Sequence, residues 1–144
     1  MKGRRRKARE LLVQAFYAAE VGQAPIAEAI ATQLERRQPG PEAQEYIRRV
    51  GALYAAQLTS LDAEIDGALV GWSPERVGAV ERAILRLALL ELRHVRDVPP
   101  RVVINEALEL ARTFSTEDAA RFVNGVLDRF FVDRPWDVPA PDSD

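Results

Sequence analysis

The sequence predicts an all-α protein, a compact bundle of about seven helices. Three observations carry this expectation. Apolar residues recur at spacings of three and four along nearly the whole chain. No run alternates with period two long enough to make a strand. The breaks between periodic stretches hold helix-boundary residues, at Pro39-Gly40-Pro41, Ser73-Pro74-Glu75 and Val98-Pro99-Pro100.

The first helix carries Leu11, Leu12, Ala15, Phe16 and Ala19 on its inner stripe and ends near Gly22. Pro25 suits the first turn of a second helix, with Ile26, Ile30 and Leu34 inward. A long third helix follows, with Ile47, Val50, Leu53, Tyr54, Leu58, Leu61, Ile65 and Leu69 at helical spacing and Gly71-Trp72 at its end, continuous or kinked near Thr59-Ser60. Gly51 inside it costs helix stability, which suggests a close helix crossing. Ser73-Pro74-Glu75 reads as a helix start, a capping hydroxyl followed by proline. The helix behind it has apolar residues around most of its circumference, from Val80 to Leu92, as in a buried central helix. Val103, Ala107, Leu110, Ala111 and Phe114 mark the next helix. Ser115-Thr116-Glu117-Asp118 caps the last, with Ala119, Val123, Val126, Leu127 and Phe130 inward. Residues 1–132 are expected to form a single helical domain with a basic segment at 1–9. Proline and acidic residues make 133–144 a disordered tail. Two helical halves divided near residue 72 also fit this pattern.

At 144 residues the chain is long enough for one sizeable core. The absence of cysteine excludes disulfides, thiolate metal sites and a cysteine nucleophile, and fits a reducing cytoplasm. No apolar stretch approaches about 18 residues, so no membrane-spanning helix is expected. The basic start lacks the apolar segment and cleavage site of a secretory signal.

Catalytic and cofactor chemistry finds little support. His94, the only histidine, sits at a helix C-terminus, where a cation is favoured, and has no second ligand near it for zinc. There is no glycine-rich phosphate loop. Glu106 and Glu109 share a helix, but no nucleophile, base and stabiliser come together. No enzymatic activity, metal or cofactor is expected. Glu91 is placed by the wheel on the buried side of its helix, opposite Arg82, so a structural hydrogen bond or ion pair is its expected role.

The net charge is only −2, yet six of the first nine residues are basic. On a helical wheel Arg6 and Tyr17 differ by only about 20°. Glu10, Val13 and Gln14 fall near the same meridian, with Arg9 bordering it. Arginine binds phosphate through two parallel hydrogen bonds, glutamine can read a base edge, and tyrosine can stack on an unpaired base. That set suits single-stranded RNA. A solvated face explains such a charge run about equally well. Phe122, about 100° from Val123, lies at the rim of the last helix, as edge packing or as a stacking platform.

Three blocks carry a family resemblance: ARELLVQAFY at 8–17, VERAILRLALLELRHVRDVPPRVVINEALELARTF at 80–114, and EDAARFVNGVLDRF at 117–130. Together they resemble the NusB family of bacterial transcription antitermination factors. The resemblance implies an all-α fold in two helical halves and no enzymatic activity. It implies binding to the boxA element of ribosomal RNA leaders together with NusE, a small-subunit ribosomal protein. Loading onto RNA polymerase with other Nus factors would follow, in the cytoplasm. The implied RNA contacts are Arg4, Arg5, Arg6, Lys7, Arg9, Gln14 and Tyr17 on the first helix, then Arg86, Phe122, Asn124 and Gly125. Glu81 and Asp118 resemble positions on the NusE side or at its border with RNA. Leu90 departs from the family, which often has tyrosine there, and Leu12 is larger than usual. Some family members form a homodimer that hides part of the RNA surface, and the sequence leaves both states open. An RNA methyltransferase with a NusB-like domain needs a cysteine nucleophile, which this chain lacks. The alternative function is a helical protein-protein adapter without sequence-specific RNA binding.

Overall fold

A computed structural model of the chain describes residues 2–133, with side chains for residues 5–130. Among the described residues all regular structure is helical. In chain order the elements are α1 (Lys2–Gly22), α2 (Ile26–Arg37), α3 (Pro41–Gly67), a one-turn 3-10 helix (Pro74–Arg76), α4 (Ala79–His94), α5 (Pro100–Phe114) and α6 (Glu117–Asp133). The described residues thus hold six α-helices, one fewer than the seven expected, with a single 3-10 turn at the Ser73-Pro74-Glu75 start signal. Of the expected acidic tail, Asp133 closes α6 and the rest lies outside the described residues.

The chain forms two compact units, one ending at Leu58 and the other beginning at Thr59. The division therefore falls inside α3, not near residue 72. Its reason is visible in the pattern: α3 keeps its apolar spacing unbroken through Thr59-Ser60, so no loop marks the boundary.

In the first unit, α1 packs against α2. Helix α1 extends back through the basic run, so those residues occupy helix positions instead of a free tail. Phe16 of α1 is fully buried and stacks on Tyr54 of α3, ring centroids 4.1 Å apart. Aromatic stacking of this kind adds to the area burial of both rings. Gln38, at φ 47°, ends α2 in a left-handed conformation, and its N–H donates to the Leu34 carbonyl at 2.8 Å. Pro39-Gly40-Pro41 then starts α3. Gly51 meets the expectation of a close crossing, because a Cβ there would run into Cδ1 of Ile30 on α2.

In the second unit, α4, α5 and α6 pack on one another. Helix α4 has nine consecutive buried residues, Ala83 to Glu91. An amphipathic surface helix cannot do that, since its polar side recurs every 3.6 residues. Glu91 is 1% exposed, on the side the wheel assigned. The start signal at Ser73-Pro74-Glu75 makes only the 3-10 turn. Val77 (ψ 124°) and Gly78 (ψ 153°) are both extended, which delays α4 to Ala79. Gly71, at φ 77°, makes the turn between α3 and this segment. Thr116 caps α6, its hydroxyl accepting the Ala119 N–H at 3.0 Å. At the same corner Arg112 pairs with Glu117 and Glu109, which raises its guanidinium pKa, Glu117 contributing most.

Candidate nucleic-acid interface

The exposed face of α1 is close to the one expected, but rotated. Arg6, Lys7 and Tyr17 are exposed, while Glu10 and Gln14 are half-buried between them. Arg9 and Val13 lie on the other flank of that meridian and are 4% and 2% exposed. Arg9 is therefore off the solvent-facing stripe. A three-to-four spacing fixes which residues share a face but leaves the edge of the buried stripe uncertain by about one residue step, ~100°. The stripe that reaches solvent runs Arg6, Lys7, Gln14, Tyr17, continuing into Ala18 and Val21. Lys7 forms no ion pair among the described residues. The Arg4 side chain lies outside the described residues.

Arg5 turns away from this stripe. Its guanidinium sits over the ring of Tyr46 on α3, 4.2 Å from the centroid. That contact holds the arginine against the unit while leaving it half-buried. A recess of about 320 Å³ opens beside it, lined by Arg5, Glu42, Tyr46 and Arg49. A second, of about 930 Å³, lies between Lys7 and Glu10 of α1 and the Arg37–Pro41 connection. Both are mixed in charge.

In the second unit Arg86, expected as an RNA contact, is committed to an internal ion pair. Arg86 is 3% exposed, and its Nε and terminal nitrogen each donate to Asp62 at 2.8 Å. The two parallel bonds use the guanidinium fork that RNA would need. Arg82 joins the same group, donating to Asp66 at 3.0 Å and reaching Asp62 at 3.4 Å. Arg93 pairs with Glu64. The polar stripe of α4 thus answers a carboxylate stripe on α3, and neither stripe is a solvated face.

Phe122 does stand at the rim of α6, half-buried, as the wheel placed it. Gly125 is exposed and shares its face, one helical turn on, with open space where a Cβ would project. Asn124 does not share it, lying about 160° away around the helix. Phe122, Glu81 and Asp118 instead come together around a recess of about 600 Å³. Glu81 accepts a hydrogen bond from the Ser115 hydroxyl at 2.7 Å, tying the start of α4 to the α5–α6 corner. Asp118 pairs with Arg121. The recess is also lined by Trp72, which the sequence marks only as a helix end, and by Arg76, to which the sequence assigns no role. The signal for them was a bulky aromatic beside a glycine and a Ser-Pro turn, where burial is not expected.

Among the described residues no cluster of histidine and acidic side chains could hold a metal ion, and no helix is long and apolar enough to cross a membrane. The family model for the NusB family matches residues 6–131. The transcription antitermination protein NusB of Rubrobacter xylanophilus is 51% identical over 86 residues, 60% of this chain and 62% of its own length. That of Symbiobacterium thermophilum is 40% identical over 131 residues, covering 85% of this chain and 86% of its own. A crystal structure of NusB and NusE in complex with double-stranded RNA is similar in fold, with a TM-score of 0.84 at 26% identity. It covers 92% of this chain and 99% of that one. With a family match over nearly the whole helical region and a relative of this identity spanning most of both chains, the chain belongs to the NusB family.

Proposed function

We propose that this chain is a transcription antitermination factor that binds boxA-type single-stranded RNA of ribosomal RNA leaders together with NusE, so suppressing premature termination by RNA polymerase. The observation that carries the reading is the solvent-facing line Arg6, Lys7, Gln14, Tyr17 on α1. It offers cations for phosphates, an amide for a base edge and a phenol ring for stacking, in the order a single strand could follow. Family membership supports the antitermination role, and the double-stranded RNA and NusE in the complex of the related NusB support RNA and NusE as partners. Phe122 and Gly125 on α6 add an aromatic and an open backbone for RNA, and Glu81 and Asp118 are the positions for the NusE side. The other Nus factors belong to the same reading.

The test is a titration with boxA RNA, a scrambled strand of equal length and a duplex, each with and without NusE. The proposal expects boxA to bind more tightly than the scrambled strand and NusE to increase that preference. A protein-protein adapter would bind NusE and discriminate among none of the RNAs. Preference for the duplex would replace base stacking on Tyr17 with recognition by shape.

A further inference from the structure

Trp72 stands out in the second unit because 46% of it remains exposed although it meets another aromatic ring. Its ring centroid is 5.2 Å from that of Phe122, with 61° between the planes. An edge contact of this kind fixes both rings while covering little of their faces. The backbone holds the indole in place. Gly71 makes the turn before it, and the 3-10 turn after it is closed by the Arg76 N–H donating to the Ser73 carbonyl at 3.0 Å. Arg82, already tied to Asp62 and Asp66, also donates to the Pro74 carbonyl at 3.3 Å. Trp72 is thus an exposed ring on a braced segment.

The charges of the recess show what chemistry is left over. Asp118 is engaged by Arg121 and Glu81 by the Ser115 hydroxyl. Arg76 is exposed and has no carboxylate partner among the described residues. Its guanidinium sits 5.6 Å over the Trp72 ring instead. The groups without a strong internal partner are therefore a flat aromatic surface and a cation. A basic peptide segment would find the carboxylates already occupied. An acidic one would use Arg76 and leave the indole idle. A nucleotide uses both, its base on the ring and its phosphate on the guanidinium.

We propose that the recess lined by Trp72, Arg76 and Phe122 holds an unpaired nucleobase of the bound RNA, with Trp72 as the stacking platform and Arg76 on the adjoining phosphate. This rests on the RNA-binding reading above and adds two residues to it. The experiment uses the full chain carrying Trp136→Phe, which leaves Trp72 as the single tryptophan. Its emission is followed during titration with boxA-type single-stranded RNA. Quenching that saturates with binding is expected. Trp72→Ala should weaken binding about tenfold and Trp72→Phe much less, in line with base-aromatic stacking. Arg76→Ala should flatten the slope of log affinity against log salt by about 0.7. If RNA binds in a manner sensitive to Arg6→Glu/Lys7→Glu while Trp72 emission and Trp72→Ala affinity stay unchanged, this inference fails and the RNA reading stands. If no RNA binds at all, both fail. If NusE alone changes the emission and RNA does not, the recess is a protein contact and the inference is overturned.

Discussion

Replacing Arg6 and Lys7 together by glutamate should weaken binding of boxA-type RNA about 100-fold near 0.1 M salt. Each phosphate contact on a single strand contributes about 0.7 to the slope of log affinity against log salt, or roughly fivefold at that salt. Losing two contacts removes about 25-fold, and the reversed charges add repulsion toward the remaining phosphates. The salt slope should flatten by about 1.4 at the same time. Both side chains are exposed, so unfolding free energy should change by less than about 1 kcal/mol. Filter binding or anisotropy across a salt series, with thermal unfolding of the same sample, measures all three. Unchanged affinity in the doubly reversed variant would remove the α1 face from the RNA site.

Arg86→Met should destabilise the protein by about 3 kcal/mol, with little direct effect on RNA affinity under folding conditions. Arg86 is buried and spends its guanidinium on both oxygens of Asp62. Removing it leaves Asp62, itself about one-third exposed, dependent on the longer contact from Arg82. Replacing Arg86 and Asp62 together by apolar residues should recover much of the loss, since removing both partners avoids a stranded charge. Urea unfolding of the two single variants and the double variant gives the coupling directly. Arg86→Met that folds as stably as the parent yet loses RNA binding would restore Arg86 as an RNA contact.

These two residues also show where the sequence was legible. The helices themselves could be read from spacing, because period 3.6 is written into every buried stripe, from Leu11–Ala19 to Val123–Phe130. Caps at Thr116 and the proline breaks were equally plain. What spacing cannot supply is the partner across the helix. Arg82, Arg86 and Arg93 share a polar face whose carboxylates, Asp62, Glu64 and Asp66, lie some 16 to 29 residues earlier in the chain, beyond the reach of a helical wheel. Arg9 and Val13 went the same way, since a wheel sets relative angles and not the edge of the buried sector. At the division inside α3 the sequence allows a kink near Thr59-Ser60, but the helix runs through it unbroken, so no loop marks the boundary. Glu91 was placed correctly because it interrupted an otherwise apolar arc. Trp72 was passed over as a boundary residue, and only its contacts with Phe122 and Arg76 give it a chemical role.

Crosslinking tests most directly whether the exposed face of α1 is the RNA surface. The chain has no cysteine, so Ala18→Cys offers one site for a photo-crosslinker, on that face and beside Tyr17. Ala27→Cys, exposed on α2, is the comparison. Irradiation with labelled boxA RNA should give a crosslink at position 18, suppressed by unlabelled boxA and not by scrambled RNA, and little at 27. RNA bound with no crosslink at 18, or crosslinked equally at both positions and displaced equally by scrambled RNA, would contradict the account.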